Sequence, residues 1–241
     1  MEKHSGKIAV ICGATGEVGR AVTARLSEDG AYIIAVHSGR RSTSDSVHSI
    51  DGVDPGRVEF VAFDSTMAAE TDRFWRTVEE RYGRADTLVH LTGGISKSVL
   101  TALTIDEWHR MLSLNLDSAF LMMRGAMRLM QRQRTGRIIT IAARTALEPE
   151  SGKGAYAASK AGLIALSRTA AEEVRDWGDV TVNVLAPGTI RTPSNLEWGS
   201  PVEAAAWTTT EEIASTVSFL CSQDASGING TIVTTFGKGR I

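Results

Sequence analysis

Cysteine is scarce in this 241-residue chain, with Cys12 and Cys221 the only two. They stand far apart, each inside an apolar run and in no metal-ligand spacing. That excludes a disulfide scaffold and a zinc site, and reads as buried thiols in a reducing, cytoplasmic compartment. Proline is also sparse, at five residues, so no proline-rich linker or tail divides the chain. No apolar run approaches the ~18 residues that a membrane span needs. The start, Met1 to Lys7, reads as leading straight into a strand rather than as a signal peptide. Charge of one sign is missing too: 26 Lys and Arg stand against 28 Asp and Glu, for a net −2. Nucleic acid and anionic membrane surfaces are therefore not expected partners. What remains is ordinary globular composition, 42% hydrophobic and 22% charged, in a chain long enough for one large core. With no repeat or low-complexity tract, we read residues 1–241 as a single domain.

The pattern along the chain alternates strands and helices. Lys7 to Cys12 is a short continuous apolar run, as expected of a strand buried on both faces. Gly13-Ala14-Thr15-Gly16-Glu17-Val18-Gly19 follows at once, and Arg20 to Asp29 has helical periodicity. Strand, glycine turn and helix bring backbone N–H groups and a helix N-terminus to a phosphate. Further strands are expected at 31–36, 58–63, 86–91, 136–142, 180–185 and 231–236, with helices at 66–82, 155–175 and 211–222. The stretch 104–134 is too long for one capped helix and predicts a bend or break. Ser194 to Thr210 carries Trp198 and Trp207 without clear period and reads as a mobile lid over a substrate. The order of elements predicts a doubly wound, parallel α/β sheet with helices on both faces, of Rossmann type.

Several residues fall where such a sheet binds ligands, at the carboxyl ends of its strands. After the second strand comes His37-Ser38-Gly39-Arg40-Arg41, with no acid before Asp45. A carboxylate there favours NAD through the ribose hydroxyl, whereas guanidinium forks match the 2′-phosphate of NADP. Asp64 ends the third strand, and Thr92-Gly93-Gly94 and Pro187-Gly188 make turns after later strands. Asn115 sits among apolar neighbours, and a buried amide must be hydrogen-bonded, either as core or as site. Tyr156 and Lys160 are four apart in a run of small residues, so one helical face carries both. An ammonium beside a phenol favours the phenolate and lowers its pKa, tuning it for general acid–base work. An amphipathic helix with an interfacial tyrosine and a solvated lysine gives the same spacing.

Taken together, the glycine turn at Gly13, Asp64, Asp86 to Val89, His90-Leu91-Thr92-Gly93, Asn115, Tyr156 with Lys160, Pro187-Gly188 and Phe219 to Gly230 resemble a short-chain dehydrogenase/reductase of the single-domain kind. The resemblance covers the whole chain. It implies a nicotinamide-dependent interconversion of an alcohol and a carbonyl on a small molecule. Tyr156 would exchange the hydroxyl proton, Lys160 would lower the phenol pKa and hold the nicotinamide ribose, and Asn115 would hold a water that connects Lys160 to solvent. By the same resemblance Gly13, Thr15, Gly16, Val18 and Gly19 would meet the pyrophosphate, and His37, Ser38, Arg40 and Arg41 the phosphorylated ribose. Asp64 and Ser65 would lie at the adenine. Thr92, Gly93, Gly94, Pro187, Gly188 and Ile190, with Tyr156 and Lys160, would surround the ribose and nicotinamide. No metal is implied, and a homodimer or homotetramer is, with the long fourth helix and the tyrosine-bearing helix at the interface.

Two departures from the family pattern matter. Ala143 stands thirteen residues before Tyr156, where a serine normally polarises the substrate oxygen. Losing one such preorganised donor costs on the order of 10²–10³ in rate. Thr145, two positions on, supplies a hydroxyl if the loop turns inward, and a dihydropteridine-type reductase acting on a conjugated ring is the alternative that needs no serine. The glycines are also evenly three apart, as in branches that bind dinucleotide as non-catalytic regulators. The sequence reading is an NADP(H)-dependent oxidoreductase with Tyr156 as proton donor or acceptor, NAD(H) being the weaker match.

Overall fold

A computed structural model describes residues 3–39 and 49–238 of the chain. Seven strands form one sheet: β1 (Ile8–Cys12), β2 (Tyr32–His37), β3 (Val58–Ala62), β4 (Thr87–His90), β5 (Thr135–Ile141), β6 (Asp179–Pro187) and β7 (Ile232–Thr235). Their order is β3-β2-β1-β4-β5-β6-β7, and all neighbours pair in parallel. The chain winds outward from β1 to one edge, returns to the other side of β1, and winds outward again. Strand order therefore reverses between β1 and β4, which opens a crevice at their carboxyl ends.

The period of two along each strand explains why the runs are apolar throughout. In β1, Val10 and Cys12 join a core with Phe74, Trp75, Met122 and Ile138. Ala9 and Ile11 face the other way, into a core with Val22, Leu26, Ile213 and Val217. A strand buried on both faces has no solvent side on which to carry polar residues. Eight helices flank the sheet among the described residues: α1 (Glu17–Glu28), α2 (Ala68–Tyr82), α3 (Ile105–Leu112), α4 (Ser118–Gln133), α5 (Gly154–Glu173), α6 (Pro193–Leu196), α7 (Pro201–Ala206) and α8 (Thr210–Cys221). Side chains of α1 and α8 cover one face, and those of α2, α4 and α5 the other. Element ends differ from the sequence expectation by at most three residues.

Two stretches resolve further. The long segment after Thr104 divides into α3, one π turn over Ser113–Asp117, and α4. The extra residue of a π turn displaces the helix axis and re-aims a side chain, and Asn115 lies inside it. Residues 194–210, expected to show no clear period, hold α7 and all of α6 but its first residue, Pro193. Thr192 and Ser200 cap them with side-chain oxygens, and Pro193 and Pro201 stand in their first turns. Helices of one turn are too short to show a period in sequence. Both cysteines are free and buried, and burial pushes the Cys221 thiol up to about 12. No described helix is long and apolar enough to cross a membrane.

Candidate active site at the carboxyl edge of the sheet

The glycine turn joins β1 to α1 through backbone geometry alone. Gly13 has φ +87°, and a Cβ there would stand 2.9 Å from the Thr92 nitrogen. A Cβ on Gly19 would stand 2.1 Å from the Gly13 carbonyl oxygen, so α1 starts hard against the turn. Gly16, the N-cap of α1, offers no side-chain cap, which leaves the first-turn N–H groups free to meet an anion. Thr15 belongs to this turn, and Val18 projects from the first turn of α1 into the cleft described below. A pyrophosphate fits such a cradle because no side chain stands in front of the backbone donors. Glu17 is the one acid in that first turn.

Other expected nucleotide contacts lie around the same edge. His37 ends β2 nearly buried, its Nδ1 accepting from the Gly39 N–H, and Ser38 beside it is exposed. Arg40 and Arg41 lie outside the described residues. Asp64 Oδ1 accepts from the Thr66 N–H and hydroxyl, and the Asp64 N–H donates to Glu70 Oε2. Asp64 thus shapes the turn into α2 as well as ending β3. Ser65 is buried next to it, and Thr92 Oγ1 lies 3.1 Å from Cys12 Sγ.

The second half of the site is built from side chains. Lys160 on α5 is 5% exposed, and its Nζ donates to the Ile141 carbonyl at the end of β5, 2.7 Å away. Asn115 is fully buried with every amide group used. Its Oδ1 accepts from the Gly94 N–H, and its Nδ2 donates to the Gly94 carbonyl and to Ser159 Oγ. Ser159 in turn donates to the Tyr156 carbonyl. The π turn therefore locks onto both the β4 turn and α5. A Cβ on Gly93 would lie 2.6 Å from Asn115 Oδ1 and 3.2 Å from Lys160 Nζ, so the turn passes directly over the pair. Gly93, Gly94, Tyr156, Lys160, Pro187, Gly188 and Ile190 line one cleft of about 750 Å³, together with Val18, Ala143 and Thr145.

The electrostatics correct one expectation. Burial, with the Glu150 carboxylate adding to it, pushes the Tyr156 phenol up to about 12 rather than down. Lys160 moves the other way, to about 8, because burial disfavours its charged form. Its ammonium is committed to the Ile141 carbonyl, while the Tyr156 hydroxyl makes no hydrogen bond among the described residues. Burial outweighs any lowering by Lys160, so the phenol stays protonated across the neutral range. His90, on β4 below the site, is pushed down to about 3 by burial and by the Lys160 charge, and its Nε2 donates to the Ser118 hydroxyl. That hydroxyl is committed as donor to the Leu114 carbonyl, which ties β4 to the π turn.

Sequence reasoning did not single out the polar wall of the cleft. Lys97, Arg144, Glu148 and Lys153 all line it. Arg144 follows Ala143 directly at the end of β5, and Lys97 lies three residues beyond Gly94. Position after a strand's carboxyl end was the available signal. The sequence alone did not show which way those side chains turn.

Comparison with known proteins agrees with this layout. A family model described as short chain dehydrogenase matches residues 7–202. The chain is 33% identical to a 3-oxoacyl-[acyl-carrier-protein] reductase of Salmonella typhimurium, with 93% of each chain covered. It is 32% identical to a D-beta-hydroxybutyrate dehydrogenase of Rhizobium meliloti, covering 96% of this chain and 97% of that one. Among solved structures, a gluconate 5-dehydrogenase from Burkholderia cenocepacia in complex with NADP and tartrate superposes with a TM-score of 0.88, covering 98% and 96% of the two chains at 23% identity. The likeness runs through the crossover crevice, the glycine turn and the tyrosine-bearing helix over nearly the whole length, and the chain belongs to the short-chain dehydrogenase family of oxidoreductases.

Proposed function

We propose that the chain is an NADP(H)-dependent carbonyl reductase of a small molecule, with Tyr156 as the proton donor. One observation carries this: an uncommitted, protonated Tyr156 hydroxyl shares a cleft with buried Lys160, Gly93 and Gly188 at the strand crossover. Gly13, Gly16 and Gly19 would hold the pyrophosphate, and Thr92, Gly93, Pro187, Gly188 and Ile190 the nicotinamide end. A nicotinamide dinucleotide bound there supplies the hydride. Tyr156 gives its proton to the carbonyl oxygen in reduction and takes one back in oxidation. A phenol that stays protonated at neutral pH is in the form that gives a proton to the carbonyl oxygen in reduction. Lys160, fixed by the Ile141 carbonyl, brings positive charge beneath the reacting groups, and Asn115 holds the β4 turn in place. Thr145, almost buried in the cleft wall, is the nearest hydroxyl along the chain to the place left by Ala143.

NADP rather than NAD is supported by the basic run Arg40-Arg41 and by the NADP complex of the Burkholderia protein. Arg40→Ala with Arg41→Ala is expected to weaken NADPH about tenfold more than NADH, measured by fluorescence titration. Equal losses for both nucleotides would remove that assignment. Two buried thiols suit a reducing, cytoplasmic setting. Phe120 of α4 is 45% exposed, the kind of surface a second copy would cover in a dimer or tetramer.

The test is NADPH oxidation against a panel of ketones and quinonoid acceptors. Turnover of a ketone that drops in Tyr156→Phe supports the reading. Turnover of quinonoid acceptors alone moves it to the dihydropteridine type, which Ala143 also permits. Binding of nucleotide with no turnover of any acceptor makes the protein a regulator.

A further inference from the structure

The cleft wall is more cationic than catalysis by Tyr156 and Lys160 requires. Lys97, Arg144, Lys153 and Lys160 line it against two carboxylates, Glu148 and Glu150. Glu150 pairs with Lys153 at 2.6 Å, and Glu148 with Arg144 at 2.5 Å. Lys97 sits over the Trp198 ring, 5.4 Å from its centroid, with no carboxylate partner among the described residues.

Arg144 is held from two sides. Its backbone leaves Ala143 in extended conformation and opens a 3-10 turn, whose Leu147 and Glu148 N–H groups both donate to the Arg144 carbonyl. Its guanidinium lies over the Phe236 ring, 5.2 Å from the centroid, and only Nε is engaged, by Glu148 Oε2. Among the described residues, both terminal amino groups of the fork are uncommitted. A guanidinium held on an aromatic face and oriented by one carboxylate has already lost most of its rotamer freedom. What it still offers is a planar pair of N–H donors, which matches the two oxygens of a carboxylate. The donor that usually polarises the substrate oxygen is absent at Ala143, and the very next residue brings this fork to the same cleft.

Resting on the reductase reading above, we propose that the substrate is an oxo acid whose carboxylate is bound by Arg144, with Lys97, which lines the same cleft, adding charge. The carboxylate anchors one end of the molecule and turns the carbonyl towards Tyr156. Orientation by the second group takes over part of what the missing serine does elsewhere.

The test compares short aliphatic 2-oxo and 3-oxo acids with their methyl esters in NADPH oxidation by the full chain. The acids are expected to exceed the esters in kcat/KM by at least about tenfold, the size of one charge-assisted contact. Arg144→Gln is expected to lower that acid-to-ester ratio by about tenfold or more, mainly through KM for the acid, and Arg144→Lys to restore part of it. Esters that match or exceed the acids in the wild type overturn the proposal, as does a ratio that Arg144→Gln leaves in place. Binding is read separately, by the thermal shift that malonate, as an inert carboxylate probe, produces in the NADPH-loaded protein. A shift seen in the wild type and lost in Arg144→Gln supports the anchor even where no acceptor is turned over, an outcome that would count against the reductase reading alone. Absence of any shift in the wild type overturns the anchor whatever the turnover.

Discussion

The two halves of the crevice are built on opposite plans. At the β1 turn the site is made by excluding side chains: a Cβ on Gly19 would meet the Gly13 carbonyl oxygen at 2.1 Å. At the β4, β5 and α5 side it is made by burying polar side chains, with Asn115 fully buried and Lys160 5% exposed. The first plan needs only seven consecutive residues and a strand before them. The second needs the π turn, the β4 turn, the end of β5 and α5 all in register. On the proposed function, one crevice would combine a phosphate cradle of backbone donors with a reaction centre whose groups are tuned by burial.

The comparison is broken most severely at its chemical end. Tyr156→Phe is expected to lower kcat for carbonyl reduction by about 10²–10⁴, since it removes the hydroxyl assigned to donate the proton. Retained kcat would mean that another group donates the proton. Gly19→Val attacks the backbone half. The new side chain collides with main-chain atoms that have no flexible end to yield, so the turn must shift, at a cost of about 1–3 kcal/mol in stability. NADPH affinity, read by fluorescence titration, is expected to fall by at least tenfold, because the shift moves the N–H donors. Wild-type affinity would show that the turn is not the phosphate site. Asn115→Leu leaves the Gly94 N–H and carbonyl without partners, which costs about 1–3 kcal/mol in urea unfolding. A loss confined to kcat with no change in stability would instead make Asn115 purely a site residue.

The last effect is on pH dependence, and its sign follows from burial. The folded pKa of Lys160 lies near 8, below its ordinary value of 10.5, so the unfolded chain binds more protons between those limits. Stability conferred by this group therefore rises with pH from about 8 to 10.5, as the buried charge is relieved. Tyr156 opposes it higher up: its folded pKa of about 12 exceeds the ordinary phenol value of 10.0, so its contribution is lost as pH climbs from 10 to 12. Urea midpoints measured from pH 8 to 10 are expected to show a positive contribution that Lys160→Met removes. Identical slopes in both proteins would mean that Lys160 is better solvated than its burial indicates.

Much of this was legible in the order of residues. The buried strands were readable because each is apolar on two faces, and β1 shows why: alternate residues enter two different cores. The glycine turn was readable because it is local, and so was the spacing of Tyr156 and Lys160. Asn115 was ambiguous from sequence, as either core or site, and it is structurally both: a fully satisfied buried amide that also sets the turn over Lys160. The small helices α6 and α7 were not legible, since one turn carries no period.

Residue order is enough to set the alternation of elements, the crossover crevice and the residue types brought to it, because those depend on short-range pattern and on the handedness of parallel connections. The tertiary structure alone decided the state of those residues. Packing around Tyr156 removes water and pushes its phenol up to about 12, and Lys160 is directed at the Ile141 carbonyl because β5 ends beneath α5. Arg144 is turned into the cleft because Phe236 and Glu148, 92 and 4 residues away, hold its guanidinium from two sides. Burial and long-range contact set pKa and direction, and neither is a property of a residue and its neighbours in sequence.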